Sequence, residues 1–119
     1  MKLVLTERES RALRAFLRRH PIRLTSRLAT VEVSRAVARR VAGTRAQPPA
    51  AFEGVALIEL SAGVAAVAAE LGPLALRALD AIHLASAQSV GDELAAFVTY
   101  DARQARAATA AGLHVESPA

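Results

Sequence analysis

The chain has 119 residues and no cysteine. That length suits one domain with its own core, and disulfides and thiolate zinc sites are excluded. Fifteen basic residues against 11 acidic give a net charge of +4, a balance compatible with a polyanionic partner and equally with solvated arginine-rich helix faces. Every basic residue except Lys2 is arginine, and most arginines, from Arg8 to Arg45, precede the middle of the chain. Aromatic residues make up 3% of the chain, which argues against a base-stacking platform for single strands. No apolar run approaches the roughly 20 residues that span a bilayer. The opening Met1-Lys2-Leu3-Val4-Leu5 is short for a signal peptide. The expectation is a single soluble cytoplasmic domain, with no membrane association.

Thr6-Glu7-Arg8-Glu9 has the form of a capping box. A helix is predicted from there to about Arg19, with Leu13, Phe16 and Leu17 facing inward, and Pro21 ends it. Ile22–Thr25 is a short predicted strand. A second helix opens at or near Ser26 and runs through Val41 towards Gly43. Gln47-Pro48-Pro49 reads as a loop or short turn. Val55–Leu60 is the clearest strand, Ser61 caps an alanine-rich helix, and Gly72-Pro73 follows it. The next helix carries Asp80 and ends near Gly91. Ala96–Thr99 is a strand, Asp101 caps the last helix, Gly112 terminates it, and Leu113–Glu116 is a final strand. Strands alternating with helices, and reading as buried, argue for an α/β fold with a parallel sheet covered on both faces.

The residue that fits this pattern least is Asp80. On a 3.6-residue period it shares a stripe with Leu76 and Leu84. A carboxylate there is costly unless it is paired, hydrogen-bonded or bound to a cation. Glu32 lies between Leu28 and Ala36 on a similar stripe. Asp101 follows the strand ending at Thr99, and sites in open α/β sheets form beyond the carboxyl ends of strands. Three such acids suit a shared hard-cation site for Mg²⁺ or Mn²⁺, which take oxygen ligands. Plainer roles are open for each: Asp101 as an N-cap, Asp80 pairing with Arg77, Glu32 pairing with Arg35. Ser26 and Thr99 read as caps or as hydrogen bonders behind the ligands. Arg27 is a candidate phosphate contact or a solvated side chain, and His83 is read as a packed or surface histidine rather than a ligand or catalytic group.

Three segments together resemble the PIN-domain family, and within it the VapC toxins of toxin–antitoxin pairs. They are Ser26–Glu32, Leu79-Asp80-Ala81-Ile82-His83-Leu84-Ala85-Ser86-Ala87, and Phe97–Arg103 followed by Ala111-Gly112-Leu113. The resemblance implies a PIN-like three-layer fold and a metal-dependent endoribonuclease hydrolysing RNA, with Glu32, Asp80 and Asp101 as metal ligands and catalytic acids. It also implies RNA and a VapB-type antitoxin as partners, and a homodimer. The family pattern opens with a strand ending in Asp-x-Ser-Ala, whose aspartate is a principal ligand. Met1–Glu7 matches the stretch after that segment, so the first strand and its aspartate are expected to be missing. A start assigned too far downstream or a truncated copy would each account for this. The competing expectation is a catalytically impaired remnant that binds antitoxin or RNA without cleaving it.

Overall fold

The computed structural model describes residues 10–40 and 52–119. The readings made for Thr6–Glu9, for the segment up to Glu7, for Val41 and Gly43, and for Gln47–Pro49 lie outside the described residues. The chain divides into two compact units, residues 1–57 with 118–119, and residues 58–117.

In the first unit, helix α1 (Ser10–Arg19) buries Ser10, Leu13 and Phe16 and exposes Arg11, Arg14, Arg18 and Arg19. Leu17 is half-buried. The end of α1 is closed by side chains. Arg23 Nη2 donates to Leu17 O at 3.0 Å, and His20 Nδ1 lies 3.0 Å from Phe16 O with its ring stacked 4.2 Å from the Phe16 ring. These groups take up carbonyls that a helix terminus leaves without intrahelical partners, and the arginine also complements the helix dipole. Strand β1 (Arg23–Ser26) follows, one residue later than predicted. Helix α2 (Leu28–Arg40) begins where the buried Ser26 hydroxyl accepts Leu28 N–H at 3.2 Å.

Strand β2 (Val55–Ile58) pairs with β1 in a two-stranded sheet. The predicted strand ran to Leu60. It stops two residues early because Ser61 N–H bonds Glu59 O at 2.9 Å, a tight turn that takes the backbone out of the ladder.

Helix α3 (Ala62–Glu70) starts at Ser61, whose hydroxyl accepts Val64 N–H at 3.1 Å, as the sequence predicts. Helix α4 (Ala78–Val90) ends at Gly91, where φ is +74°, a conformation that favours glycine. Strand β3 (Phe97–Val98) and strand β4 (Val115–Glu116) pair in parallel, Phe97 opposite Val115 and Val98 opposite Glu116. Between them runs α5 (Ala102–Ala110). Its end is a Schellman motif: Leu113 N–H bonds Ala108 O and Gly112 N–H bonds Thr109 O, both at 3.0 Å, with Gly112 at φ +88°.

The core of the second unit is made of small side chains. Val64 and Ala68 of α3 pack on Ala81 and Ala85 of α4, with Leu71, Leu76 and Ile82 around them. Leu84, fully buried, meets Ala107 and Ala108 of α5, flanked by Phe97, Leu113 and Val115. The α/β fold and the parallel pairing agree with the sequence. One continuous parallel sheet was expected, whereas the described residues contain two two-stranded sheets. Strands of two to four residues offer few ladder positions, and the helices supply most of the buried surface.

Candidate active site

Helices α4 and α5 lie side by side and point the same way. Gln104, in the first turn of α5, reaches Asp80 in the first turn of α4. Leu84 in mid-α4 packs on Ala107 and Ala108, and Gln88 Nε2 donates to Ala111 O at 3.1 Å near the far ends. The two N-termini therefore open at one end of the unit. A cleft of about 400 Å³ begins there and runs along α5 as far as Ala110, with Arg77, Asp80, Asp101, Arg103 and Arg106 among its lining residues. Both acids occupy favourable helix positions, because a helix N-terminus presents free N–H groups and the positive end of its dipole.

Asp101 is exposed and is the N-cap of α5. Its Oδ1 accepts Arg103 N–H at 2.8 Å and Gln104 N–H at 3.3 Å. The capping role read from the sequence is present, and it leaves Oδ2 outside these bonds. Asp80 is half-buried in the first turn of α4, one turn before the fully buried Leu84; Leu76, expected on the same helical stripe, lies ahead of the helix, which begins only at Ala78. Its contact across the helices is an amide, Gln104 Nε2, 3.5 Å from Asp80 Oδ1.

Thr99 closes β3 and is 7% exposed. Its N–H donates to Glu116 O at 3.2 Å, and its carbonyl accepts the Ser117 hydroxyl at 2.5 Å. Its own hydroxyl accepts Asp101 N–H at 3.1 Å and donates to Gln104 Oε1 at 2.7 Å. Thr99 is thus tied to β4 on its backbone and to the acid-bearing loop through its side chain.

In the first unit, Glu32 is half-buried on α2, with half-buried Leu28 and Ala36 one turn to either side. Arg27 is exposed at the junction of β1 and α2. Neither is without a partner within the protein, and the same holds for His83, which is half-buried on α4. Ser26 serves as the hydrogen-bond acceptor at the start of α2.

Among the described residues, no three His, Cys, Asp or Glu side chains gather closely enough to hold a metal ion. The second unit brings two acids, Asp80 and Asp101, to one cleft. Its donors are oxygen alone, which fits a hard cation that retains several waters, such as Mg²⁺ or Mn²⁺, and does not fit a thiolate or polyhistidine metal.

Gln104 is the residue that the sequence reading missed. A signal was present: Asp101-x-x-Gln104 has capping-box spacing, in which the N3 side chain ordinarily reaches back to the N-cap N–H. Here Thr99 takes that N–H, which leaves the Gln104 amide to face another helix.

A PIN-domain family model matches residues 1–110. "Ribonuclease VapC46" of Mycobacterium tuberculosis (strain ATCC 25618 / H37Rv) is 42% identical over 119 residues, covering 99% of this chain and 91% of the relative. "Ribonuclease VapC47" of strain CDC 1551 / Oshkosh is 38% identical over 124 residues, covering 98% and 90%. "Ribonuclease VapC35" of the same strain is 41% identical over 124 residues, covering 99% and 90%. No solved structure gives a significant match. No described helix is long and apolar enough to cross a membrane. Full-length similarity to three VapC proteins, added to the family match, shows that this chain belongs to the PIN-domain family, in its VapC group.

Proposed function

We propose that this protein is a cytoplasmic VapC-type toxin, an endoribonuclease that needs Mg²⁺ or Mn²⁺ and is held in check by a VapB-type antitoxin. The observation that carries the reading is the cleft where Asp80 and Asp101 stand among Arg77, Arg103 and Arg106. Carboxylates at the head of two helices, ringed by guanidinium groups, suit a substrate that is a polyanion processed with a divalent cation. The family match runs through both compact units, which supports reading them as one PIN domain. The names of the relatives support an enzyme rather than a binding remnant.

In this reading Asp80 and Asp101 hold the cation, with Glu32 as the third acid assigned by family resemblance. The cation would supply charge stabilisation at the phosphate and an activated water. The chain's own part is positional. Asp101 is fixed by its two N–H contacts and Asp80 by the amide beside it. Arg103 and Arg106 bind non-bridging phosphate oxygens and orient the strand. Arg27 is assigned a further backbone contact, and a homodimer is the expected assembly.

The test is direct. Purified protein with Mn²⁺ should cleave RNA, and chelation should stop it. Arg103→Gln and Arg106→Gln should each flatten the salt dependence of RNA binding by about 0.7 in log–log slope, one counterion-releasing contact on a single strand. An unchanged slope in both variants removes the arginines from the interface. Wild-type protein that leaves RNA intact with Mn²⁺ and Mg²⁺ overturns the ribonuclease reading.

A further inference from the structure

Gln104 stands at the centre of the hydrogen bonds between the two acids. Its backbone N–H caps onto Asp101 Oδ1 at 3.3 Å, its Oε1 accepts from Thr99 at 2.7 Å, and its Nε2 approaches Asp80 Oδ1 at 3.5 Å. One residue therefore touches both carboxylates and the strand end between them. The Asp80 contact is at the long end of hydrogen-bond geometry.

The orientation of this amide follows from proton counting. The Thr99 hydroxyl already accepts Asp101 N–H, so its single proton is free to go to Gln104. Turning the amide over would place Oε1 against the Asp80 carboxylate, oxygen on oxygen, and would leave the Thr99 proton facing an N–H₂ group. Only one orientation satisfies all three groups. Thr99 is itself fixed by Glu116 O and by the Ser117 hydroxyl. The order of constraint runs from β4 to Thr99, from Thr99 to Gln104, and from Gln104 to Asp80.

We propose that Gln104 is a positioning residue for the cation site, a Thr99-oriented amide that holds Asp80 Oδ1 and so leaves Oδ2 to the cleft. The cation part rests on the ribonuclease reading, whereas the orienting of Asp80 does not. Groups that orient metal-binding carboxylates in this way typically contribute 10–100-fold in affinity or rate.

The experiment uses the full chain. Gln104→Leu should weaken Mn²⁺ binding, measured by calorimetry, about 10-fold and lower kcat by a similar factor, with KM for RNA and Tm nearly unchanged. Thr99→Val should give the same pattern in weaker form, and Thr99→Ser should restore it by returning the hydroxyl. The double variant Thr99→Val/Gln104→Leu should be no worse than Gln104→Leu alone, since the threonine acts through the amide. In the metal-free protein, the Gln104 side-chain amide resonances should move in both Thr99→Val and Asp80→Ala. A Gln104→Leu protein with a lower Tm but unchanged Mn²⁺ affinity would make Gln104 merely structural and overturn the proposal. Amide resonances indifferent to Asp80→Ala would overturn it as well, even in a protein that binds no Mn²⁺. Intact Mn²⁺ binding without RNA cleavage strikes the ribonuclease reading alone.

Discussion

The two units are built on different principles. The first places large side chains, Leu13 and Phe16, under an arginine-rich helix and closes that helix with His20 and Arg23. The second packs alanines against alanines and one leucine, with Ala81, Ala85, Ala107 and Ala108 all buried. Small residues let helix axes approach closely. That is how α3 meets α4. Between α4 and α5 long amide side chains make the span, as Gln104 reaches Asp80 and Gln88 reaches the backbone carbonyl of Ala111. Alanine packing draws α3 onto α4, whereas the network between the N-termini of α4 and α5 is spanned by the length of the Gln104 side chain.

The sharpest way to break this comparison is to neutralise one acid in each unit. Asp80→Asn keeps the side-chain shape but is a poor ligand for a hard cation, so RNA cleavage should fall on the order of 100-fold or more. Glu32→Gln should lose activity comparably if Glu32 is the third ligand. Their thermal unfolding should separate them less than their activity separates either from wild type. Full activity in Glu32→Gln would confine the chemistry to the acids of the second unit.

Core truncation comes next in size. Leu84 is fully buried against Ala107 and Ala108, with Phe97, Leu113 and Val115 beside them. Leu84→Ala should therefore fall within the roughly 2–5 kcal/mol range of buried leucine truncations, towards its upper half. Leu13 is buried but keeps 8% exposure, so Leu13→Ala should cost less. Denaturant melts of the two variants measure the difference. Equal losses would mean that alanine packing in the second unit collapses around the void as readily as packing around Phe16.

The Asp101 substitutions separate two roles that one residue carries. Asp101→Ala removes the cap of α5 and should cost about 1 kcal/mol, whereas Asp101→Asn keeps a capping oxygen and should be nearly neutral in stability. Both should lose cleavage. An Asp101→Asn protein with full activity would reduce Asp101 to a cap.

These residues also show how far the sequence could be read. Ser61, Gly91, Asp101 and Gly112 announce helix ends through local chemistry, and each is found at or within a residue of the position read. Asp80 announces itself as a carboxylate one turn before Leu84, although Leu76, read on the same stripe, precedes the helix. Gln104 shows only capping-box spacing from Asp101; its reach to Asp80 depends on α4 and α5 running in the same direction, which no local pattern encodes. The early end of β2 was hidden for a related reason: Glu59-Leu60 has the composition of a strand, and only the Ser61 N–H contact with Glu59 O turns it away. The segments that bring the acids to helix starts were legible, and the hydrogen bonds that orient them were not.

The smallest expected effect probes both units with the same substitution. Ser34 on α2 and Ser86 on α4 are buried, and their hydroxyls have no hydrogen-bond partner among the described residues. A buried hydroxyl without a partner carries a desolvation cost, and serine is also a poorer helix former than alanine. Both terms favour the replacement, while the volume lost is a single oxygen. Ser34→Ala and Ser86→Ala should each be neutral to stabilising, by up to about 1 kcal/mol. Ser86 should gain more, because it is 2% exposed against 6% for Ser34. Neither side chain belongs to the cleft, so Mn²⁺ affinity should stay at the wild-type value. Destabilisation by Ser86→Ala would reveal that its hydroxyl is satisfied in solution, by water or by a shifted carbonyl, and that the alanine-packed unit is less dry than its core suggests.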